Sequence, residues 1–173
     1  FSGPCLPKDL EGLIRLAEDA GYEPFFLKAI LEKNDHQRRQ IMGKVSALLG
    51  TSLYGRRIGV LGLTFKPGTD DIRNSLAPEI VDYLVRRGAV VSAYDPEVTP
   101  DAATSGRLAT TAYEAAEGAD LLLLLTAWEE FRTLDYERIR GLMRAPNLVD
   151  GVNVLDPHAL RRLGFTYVSV GRP

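Results

Sequence analysis

The sequence predicts an α/β fold: a doubly wound, mostly parallel, Rossmann-like sheet preceded by a helical segment. From residue 57 onward, short apolar runs alternate with stretches of helical period, and loops of a few residues join them. The apolar runs are continuous, which is typical of strands buried on both faces of a parallel sheet. The residues before them show only the helical period, so a helical segment is expected to precede the sheet.

Two helices are predicted before the first strand. The first covers residues 8–20, where apolar residues repeat at helical spacing and Gly21 is placed to end the helix. The second covers residues 24–49 and is polar all round in its middle. A long helix with a polar centre is typical of a bridge between domains or subunits, so we expect this helix to cross such a boundary.

The sheet is predicted to begin at Arg57, where the period changes to the apolar run "RIGVLGL". In the following helix, Ser75 or Asn74 is a candidate N-cap, Pro78 falls in the first turn and Gly88 is placed as the stop. The remaining elements alternate: strand 89–95, helix 110–119, strand 120–126, helix 135–144, strand 147–151, helix 156–164 and strand 165–171.

The composition is that of an ordinary globular protein, with 45% hydrophobic and 25% charged residues. The net charge is −2 and Lys and Arg are scattered, so we expect neither nucleic-acid nor membrane-surface binding. With one cysteine and no Cys/His group at metal-ligand spacing, we expect no metal and a reducing cytoplasm. The longest apolar run is too short to span a bilayer, and no leader pattern is expected at Phe1.

The single cysteine, Cys5, stands between two prolines just before the first predicted helix. Pro7 suits a first helical turn, so Cys5 is expected beside the helix N-terminus with Lys8 nearby, and both features favour the nucleophilic thiolate. Asp9 shares a face with Cys5 if the turn continues helically, and there it would orient a water. Two alternatives stay open: a lone cysteine is more commonly inert and buried, and Asp9 also suits the helix dipole.

The polar loop after the first strand is the expected site for an anionic ligand. In doubly wound sheets, ligands bind beyond the carboxyl ends of the strands near the switch point. Lys66 and Arg73 bracket several acidic residues in this loop, although a solvated loop with surface ion pairs explains the same residues equally well. Gly59 and Gly62 match a dinucleotide fingerprint only in part, because the third glycine is absent.

Five further residues have a possible role and a simpler one. Asp95, at the end of the second strand, either accepts from a ribose hydroxyl or caps the following turn. Thr126 and Trp128 follow a central strand, and we expect the indole to be a packing anchor rather than a base-stacking platform. His36 and His158 have no partners nearby in sequence and are expected on the surface or at a helix cap.

Five stretches together resemble one known family. "GPCLPKD", "LGLTFKPGTDDIRNS", "AYDP", "LLTAWEEFRTLD" and "DGVNVLDPHALRRLGFTYVSVGR" occur in this order in the UDP-glucose/GDP-mannose dehydrogenase family, and they cover nearly the whole chain. The resemblance implies that residues 1–52 end a central helical, dimer-forming region that carries the cysteine motif. It implies that residues 53–173 form the Rossmann-like domain that binds the nucleotide sugar. The family's NAD-binding domain has no counterpart here, so this chain alone is not expected to turn over.

The resemblance also implies the chemistry. Members of this family oxidise the C6 alcohol of a nucleotide sugar to a carboxylate with two NAD+, through an aldehyde, a thiohemiacetal and a thioester on a cysteine. Carried over by position, Cys5 is this nucleophile, and Asp9 is the carboxylate that manages water and protons. The other implied contacts are to NAD by Lys8 and Arg73, and to the nucleotide sugar by Phe1, Gly3, Phe65 and Lys66.

The chain departs from the family at Val152, because it has "DGVN" where the family has "DGRN", and one anionic contact is therefore in doubt. Ser2 also stands where glycine is common. UDP-glucose is the expected substrate and GDP-mannose the alternative, since "CLPKD" suits both. Two other hypotheses are a non-catalytic binding or dimerisation module and a stand-alone dinucleotide-binding dehydrogenase domain of another family. The expected partners are a nucleotide sugar and a second copy of the chain.

Overall fold

The computed structural model describes residues 1–99 and 105–172. Two helices, α1 (Leu6–Asp19) and α2 (Phe25–Leu49), precede the sheet. The rest of the chain forms β1 (Arg57–Leu61), α3 (Leu76–Arg86), β2 (Val90–Tyr94), β3 (Arg107–Leu108), α4 (Ala112–Ala116), β4 (Leu121–Leu124), α5 (Glu129–Arg132), α6 (Tyr136–Leu142), β5 (Asn147–Asp150), α7 (Pro157–Arg162) and β6 (Thr166–Ser169).

The sheet has six parallel strands in the order β3-β2-β1-β4-β5-β6. The chain winds outward from β1 through β2 to β3, returns to β4 on the other side of β1, and continues outward to β6. Val60 of β1 is therefore paired with Ala93 of β2 on one side and with Leu123 of β4 on the other. The order reverses between β1 and β4, which is the switch point of a doubly wound sheet, and the predicted α/β fold is confirmed.

Burial explains why these sequences form strands. All four residues of β4 are buried, and β1 is buried throughout except at Arg57. Helices cover both faces of the sheet. On one face, the core cluster includes Val45 of α2 and Leu84 of α3. The second cluster, on the opposite face, includes Ile139 of α6 and Leu160 of α7. A strand between two apolar layers needs apolar residues at every position, which is the pattern seen in the sequence.

The helix limits follow from their caps. Ser75, and not Asn74, caps α3, because its Oγ accepts the N–H of Ala77 at 3.3 Å. Side chains of Thr111, Asp135 and Asp156 cap α4, α6 and α7 in the same way. In the ranges 1–99 and 105–172, no helix is both long and apolar enough to cross a membrane.

Two short segments were not predicted, and the limits of two helices differ from their predictions. Strand β3 and helix α5 were not predicted, because two and four residues are too few to show a period. Helix α1 begins at Leu6 rather than at residue 8, because Pro7 occupies a position in its first turn that needs no N–H donor. Helix α4 is confined to the middle of the predicted span 110–119, and Gly118, with a φ of 65°, lies beyond its end.

Candidate functional site

A cleft of about 870 Å³ opens at the carboxyl edge of the sheet, beside the switch point. One wall is formed by the first residues of the chain and by one face of α2. The other wall consists of the loop after β1, the start of α3 and residues that follow β4, β5 and β6. Doubly wound sheets bind their ligands at this edge, so this cleft is the candidate site.

The first residues of the chain are fixed against the loop after β1. Gly3 has a φ of +90°, and a Cβ atom there would lie 2.6 Å from Cδ2 of Phe65. Its N–H also donates to the carbonyl of Asn74 at 2.8 Å. Only glycine combines this backbone conformation with so close an approach to an aromatic ring. The predicted substrate positions Gly3 and Phe65 are therefore in direct contact.

The other predicted substrate positions are Phe1 and Lys66. The backbone N of Phe1 donates to Oδ1 of Asn34 at 2.7 Å, and Nδ2 of Asn34 donates to the carbonyl of Phe1 at 2.8 Å. This two-way contact holds Phe1 against α2 in the cleft wall. Lys66 is exposed and lies outside the cleft lining, with its Nζ 5.5 Å from the centre of the Phe65 ring.

Cys5 is the N-cap residue of α1, and it is exposed. The carbonyl of Cys5 accepts the N–H of Asp9 at 2.9 Å, so the first turn of the helix closes directly behind the thiol. Asp9 pairs with Lys8 at 3.2 Å (Oδ1 to Nζ), and both side chains are largely exposed. Of these three residues, Lys8 lines the cleft. The structure thus places the thiol at a helix N-terminus and in solvent, rather than in the core.

Arg73 is oriented by Asp71 and interacts electrostatically with Cys5. Its Nε and Nη2 donate to the two oxygens of Asp71 at 3.0 and 2.8 Å, and its backbone N–H donates to Oδ1 at 2.8 Å. The hydrogen bonds with Asp71 raise the pKa of Arg73, and a smaller electrostatic interaction with Cys5 acts in the same direction. The same pair lowers the pKa of Asp71. The cation and the cysteine therefore lie within electrostatic reach of each other.

Asp95 organises the loop that carries Phe65. Its buried Oδ2 accepts hydrogen bonds from the N–H of Leu63 (2.7 Å), the N–H and Oγ1 of Thr64 (both 3.0 Å), and Nε1 of Trp128 (3.1 Å). Its Oδ1 accepts a hydrogen bond from the N–H of Glu97 at 3.1 Å. Asp95 therefore caps the turn after β2, which is the second of its two predicted roles, rather than accepting from a ribose hydroxyl. The indole is thus an anchor, as predicted, and the Asp95 carboxylate fixes three segments at the carboxyl edge.

Two residues that follow the central strands also hold the loop that carries Phe65. Oγ1 of Thr126, after β4, donates to the carbonyl of Thr64 at 2.6 Å, and both residues are buried. Gly62, with a φ of +95°, lies so close to Thr126 that a Cβ atom would be 2.5 Å away. The loop after β1 is therefore tied to the end of β4 as well as to β2, and its position is well defined.

The cleft contains a charged group that the sequence reasoning missed. Arg38 of α2 forms ion pairs with Asp35, on the same helix, and with Glu79 of α3. In the sequence, Arg38 belongs to the polar middle of the long helix, and no local signal distinguishes it from its neighbours. His36, from the same stretch, is half-buried, and His158 is exposed in the first turn of α7.

Val152 also lines the cleft. Its backbone N–H donates to Oδ1 of the buried Asp150 at 3.1 Å, and Oδ2 of Asp150 accepts from Leu155 N–H (2.9 Å) and from the Tyr167 hydroxyl (2.8 Å). The turn after β5 is thus held by a buried carboxylate. At the position where the resemblance leads one to expect an arginine, the cleft wall has an aliphatic side chain and offers no side-chain donor.

The fold and the cleft together define a class: a Rossmann-type, doubly wound domain with a cleft at the switch point of its parallel sheet, the edge at which such folds bind their ligands. Residues 59–157 match the UDP binding domain of the UDP-glucose/GDP-mannose dehydrogenase family. This match covers more than half of the chain, and the chain belongs to that family. The resemblance inferred from the sequence motifs is confirmed.

Individual relatives agree with this assignment. The chain is 40% identical to a UDP-glucose 6-dehydrogenase of Pseudomonas aeruginosa and 37% identical to the UDP-glucose 6-dehydrogenase TuaD of Bacillus subtilis. Both alignments cover 100% of this chain but only 40% and 38% of those enzymes. Among solved structures, a UDP-glucose dehydrogenase from Pyrobaculum islandicum superimposes with a TM-score of 0.74 at 34% identity, over 87% of this chain and 34% of that one. The chain therefore matches the C-terminal portion of these oxidoreductases and spans about two fifths of the curated relatives' length.

Proposed function

We propose that this chain is the part of an NAD-dependent nucleotide-sugar 6-dehydrogenase that binds the nucleotide sugar and carries the catalytic cysteine. The observation that supports this best is the exposed thiol of Cys5 at the N-terminus of α1, within electrostatic reach of Arg73 and next to the switch-point cleft. The UDP-glucose 6-dehydrogenase relatives favour UDP-glucose as the substrate and UDP-glucuronate as the product. GDP-mannose remains the alternative substrate.

In the proposed mechanism, the thiolate of Cys5 attacks the C6 aldehyde of the half-oxidised sugar. A C–S bond forms and the aldehyde oxygen takes up a proton, which gives a thiohemiacetal. Loss of the C6 hydride and of the hydroxyl proton then leaves a thioester. Water attacks the thioester carbonyl, the C–S bond breaks, and the carboxylate and the free thiolate are released. Asp9, one helical turn after Cys5, is proposed to orient this water and accept its proton.

Lys8 and Arg73 are the proposed NAD contacts. NAD+ supplies the hydride acceptor for both oxidations. The residues present fit a dinucleotide, because both side chains are exposed cations near Cys5, and cations of this kind bind pyrophosphate oxygens. Asp71 holds the guanidinium of Arg73 in one orientation, so this cation is ordered before the cofactor binds.

Phe1, Gly3, Phe65 and Lys66 are the proposed contacts to the nucleotide sugar. The ring of Phe65 lies on Gly3 and forms part of the cleft wall, and Phe1 lies on the same cleft beside α2. Lys66 follows Phe65 and presents an exposed ammonium group that suits a phosphate of the ligand. The contact between Gly3 and Phe65 joins the cysteine segment to the sheet, which supports a single site made from both.

We also propose the division of labour that the resemblance implies, with residues 1–52 as the dimer-forming helical region and residues 53–173 as the nucleotide-sugar domain. Large apolar side chains are exposed along the helix pair, and clusters of this kind mark interfaces. The exposed residues are Leu6, Leu13, Leu16, Phe25 and Phe26. The proposed homodimer would bury these side chains.

The decisive experiment uses the full-length gene product with NAD+ and UDP-glucose. Cys5→Ala should abolish NADH formation beyond the first oxidation, and mass spectrometry of unmodified protein quenched during turnover should show an acyl adduct on Cys5. Unchanged NADH formation in the variant would contradict the covalent role.

Calorimetry with UDP, UDP-glucose and GDP-mannose tests binding. Heat with UDP-glucose but not with GDP-mannose supports the proposed substrate, and the reverse supports the alternative. Absence of heat with all three would contradict the assignment. If the nucleotide sugars bind but Cys5 reacts slowly with an alkylating reagent near neutral pH, the chain is a non-catalytic binding module.

A further inference from the structure

We propose that Asn153 is a positioning residue for the nucleotide sugar, because it fixes the part of the cleft wall that follows β5 and β6. Asn153 itself does not line the cleft and acts through Val152 and Val170, which do. The proposal rests on the proposed function, since it concerns the same cleft. It assigns a role to a side chain that is not one of the proposed ligand contacts.

The backbone of Asn153 lies in the left-handed region, with a φ of 57°. Within residues 1–99 and 105–172, Asn74 is the one other non-glycine residue with a positive φ, at 51°. Asn74 lines the cleft, and Asn153 directly follows Val152, which lines it as well. The left-handed non-glycine residues of these ranges therefore border the cleft, and residues in such conformations cluster at functional sites.

The buried carboxylate of Asp150 accounts for this backbone conformation. Its Oδ1 accepts the N–H of Val152 at 3.1 Å, and its Oδ2 accepts the N–H of Leu155 at 2.9 Å. The chain wraps around this one side chain between residues 152 and 155, and Asn153 lies inside the turn. Glycine, asparagine and aspartate are the residue types that adopt the left-handed conformation readily, so few residue types suit this position.

The side chain of Asn153 joins the turn after β5 to the turn after β6. Its Nδ2 donates to the carbonyl of Val170 at 2.9 Å. The pairing of the two strands ends at Asp150 and Ser169, and β6 is the edge strand, so this bond continues the link beyond the end of the ladder. Among glycine, asparagine and ionised aspartate, only asparagine has a side-chain N–H donor. The position thus requires asparagine for two independent reasons.

The wall that these turns form is uncharged. The lining residues after β4, β5 and β6 are Leu125, Gly151, Val152 and Val170. The charged lining residues lie on α1, α2 and α3: Lys8, Glu11, Asp35, Arg38 and Glu79. The strand-end wall therefore acts on a ligand through its shape. Because a gap of about 1 Å already removes a large part of the dispersion energy, this contact depends on the exact placement of both turns.

The test is Asn153→Gly in the full-length gene product. Glycine adopts the positive φ but has no Nδ2 donor, so the variant keeps the backbone conformation and loses only the bond to Val170. We expect the Kd for UDP-glucose to rise about threefold to tenfold, which corresponds to one hydrogen bond between neutral groups. The kcat should stay nearly unchanged, because Cys5 and Asp9 do not line the cleft.

The matched control is Asn147→Gly. Nδ2 of Asn147 also donates to a backbone carbonyl at 2.9 Å, that of Asp120, but Asn147 begins β5 and lies at the opposite edge of the sheet. Glycine is unfavourable within a strand, so Asn147→Gly should lower the melting temperature more than Asn153→Gly does. Its affinity for UDP-glucose should equal that of the unmodified protein. The two variants thus separate positioning of the wall from a general loss of stability.

Calorimetry on the unmodified protein and both variants decides the outcome. If the unmodified protein binds UDP-glucose and Asn153→Gly binds it equally well, the proposal is overturned and the proposed function stays intact. An equal loss of affinity in both variants would also overturn the proposal, since general destabilisation then explains the loss. GDP-mannose replaces UDP-glucose in these titrations if it is the nucleotide sugar that binds. If UDP and both nucleotide sugars fail to bind, the proposed function fails and this proposal fails with it.

A measurement on the unmodified protein serves if Asn153→Gly does not fold. In a nitrogen–proton NMR spectrum, a side-chain amide proton of Asn153 should exchange slowly with water before any ligand is added, because the bond to Val170 is already formed. The side-chain amide signals should then shift on saturation with UDP-glucose. Rapid exchange in the free protein, or signals that do not respond to a saturating ligand, would refute the positioning role.

Discussion

Replacement of Asp95 by asparagine tests whether this carboxylate anchors the loop that carries Phe65. The buried Oδ2 accepts four hydrogen bonds, two from backbone N–H groups, one from the Thr64 hydroxyl and one from the indole of Trp128. Asparagine can present its one oxygen to these four donors only as a neutral acceptor. Its amide then faces the N–H of Glu97, which loses its acceptor.

The expected cost follows from these bonds. A hydrogen bond to a charged partner contributes about 1.5–3 kcal/mol and a neutral one about 0.5–1.5 kcal/mol, so each of the four bonds weakens by about 1 kcal/mol. With partial relaxation of the site, we expect Asp95→Asn to lower the free energy of unfolding by about 3 kcal/mol. For a chain of this size, this corresponds to a melting temperature lower by about 6–12 °C.

Thermal unfolding followed by far-ultraviolet circular dichroism measures this effect. The control is Asp135→Asn, the same change at the exposed N-cap of α6, where asparagine caps as well as aspartate does. It should leave the melting temperature nearly unchanged. If Asp95→Asn melts within about 2 °C of the unmodified protein, which is below about 1 kcal/mol, the carboxylate does not hold the loop as the geometry indicates.

Three further predictions concern the same region. Gly3→Ala should cost at least about 1–2 kcal/mol for its positive φ, with a further loss from the contact with Phe65, whereas Gly12→Ala, with nothing near its Cβ position, should not destabilise; equal melting temperatures would contradict this. Burial raises the pKa of Tyr94 to about 12, so the contribution of Tyr94 to stability is complete below about pH 10 and is lost as the pH rises from about 10 to about 12. In an ultraviolet titration, the absorbance step near pH 12 should be missing from the Tyr94→Phe variant, and a variant that keeps this step would disprove the prediction. Asp71→Asn releases its arginine partner, and steady-state kinetics of the full-length gene product should show a several-fold higher KM for NAD+ with little change in the KM for the nucleotide sugar; the reverse pattern would contradict the proposed cofactor contact.

The sheet was predictable because burial on both faces leaves a strong signal in the sequence. The run Leu121–Leu124 is apolar at every position, and only a strand between two covered faces requires this. Helix α3 was predictable from its cap Ser75 and from Gly88 beyond its end. The segments β3 and α5 were not predictable, since their formation depends on neighbours that are distant in sequence rather than on a local period.

The same distinction applies to the site. Cys5 and Arg73 belong to compact motifs, so the sequence alone identified them as candidates. Arg38 was missed because its significance depends on Glu79, which lies forty-one residues further along the chain and on another helix. Asp95 had two interpretations, and the hydrogen bond from the N–H of Glu97 to its Oδ1 in the folded chain decides between them.

The bond from the N–H of Gly3 to the carbonyl of Asn74 has a mechanical consequence. It joins the backbone just before Cys5 to the end of the loop that begins with Phe65 and includes Arg73. We therefore expect a ligand that displaces this loop to move the sulfur atom as well. The rate at which Cys5 is alkylated is then expected to change with occupancy of the neighbouring cleft, even for compounds that never touch the thiol.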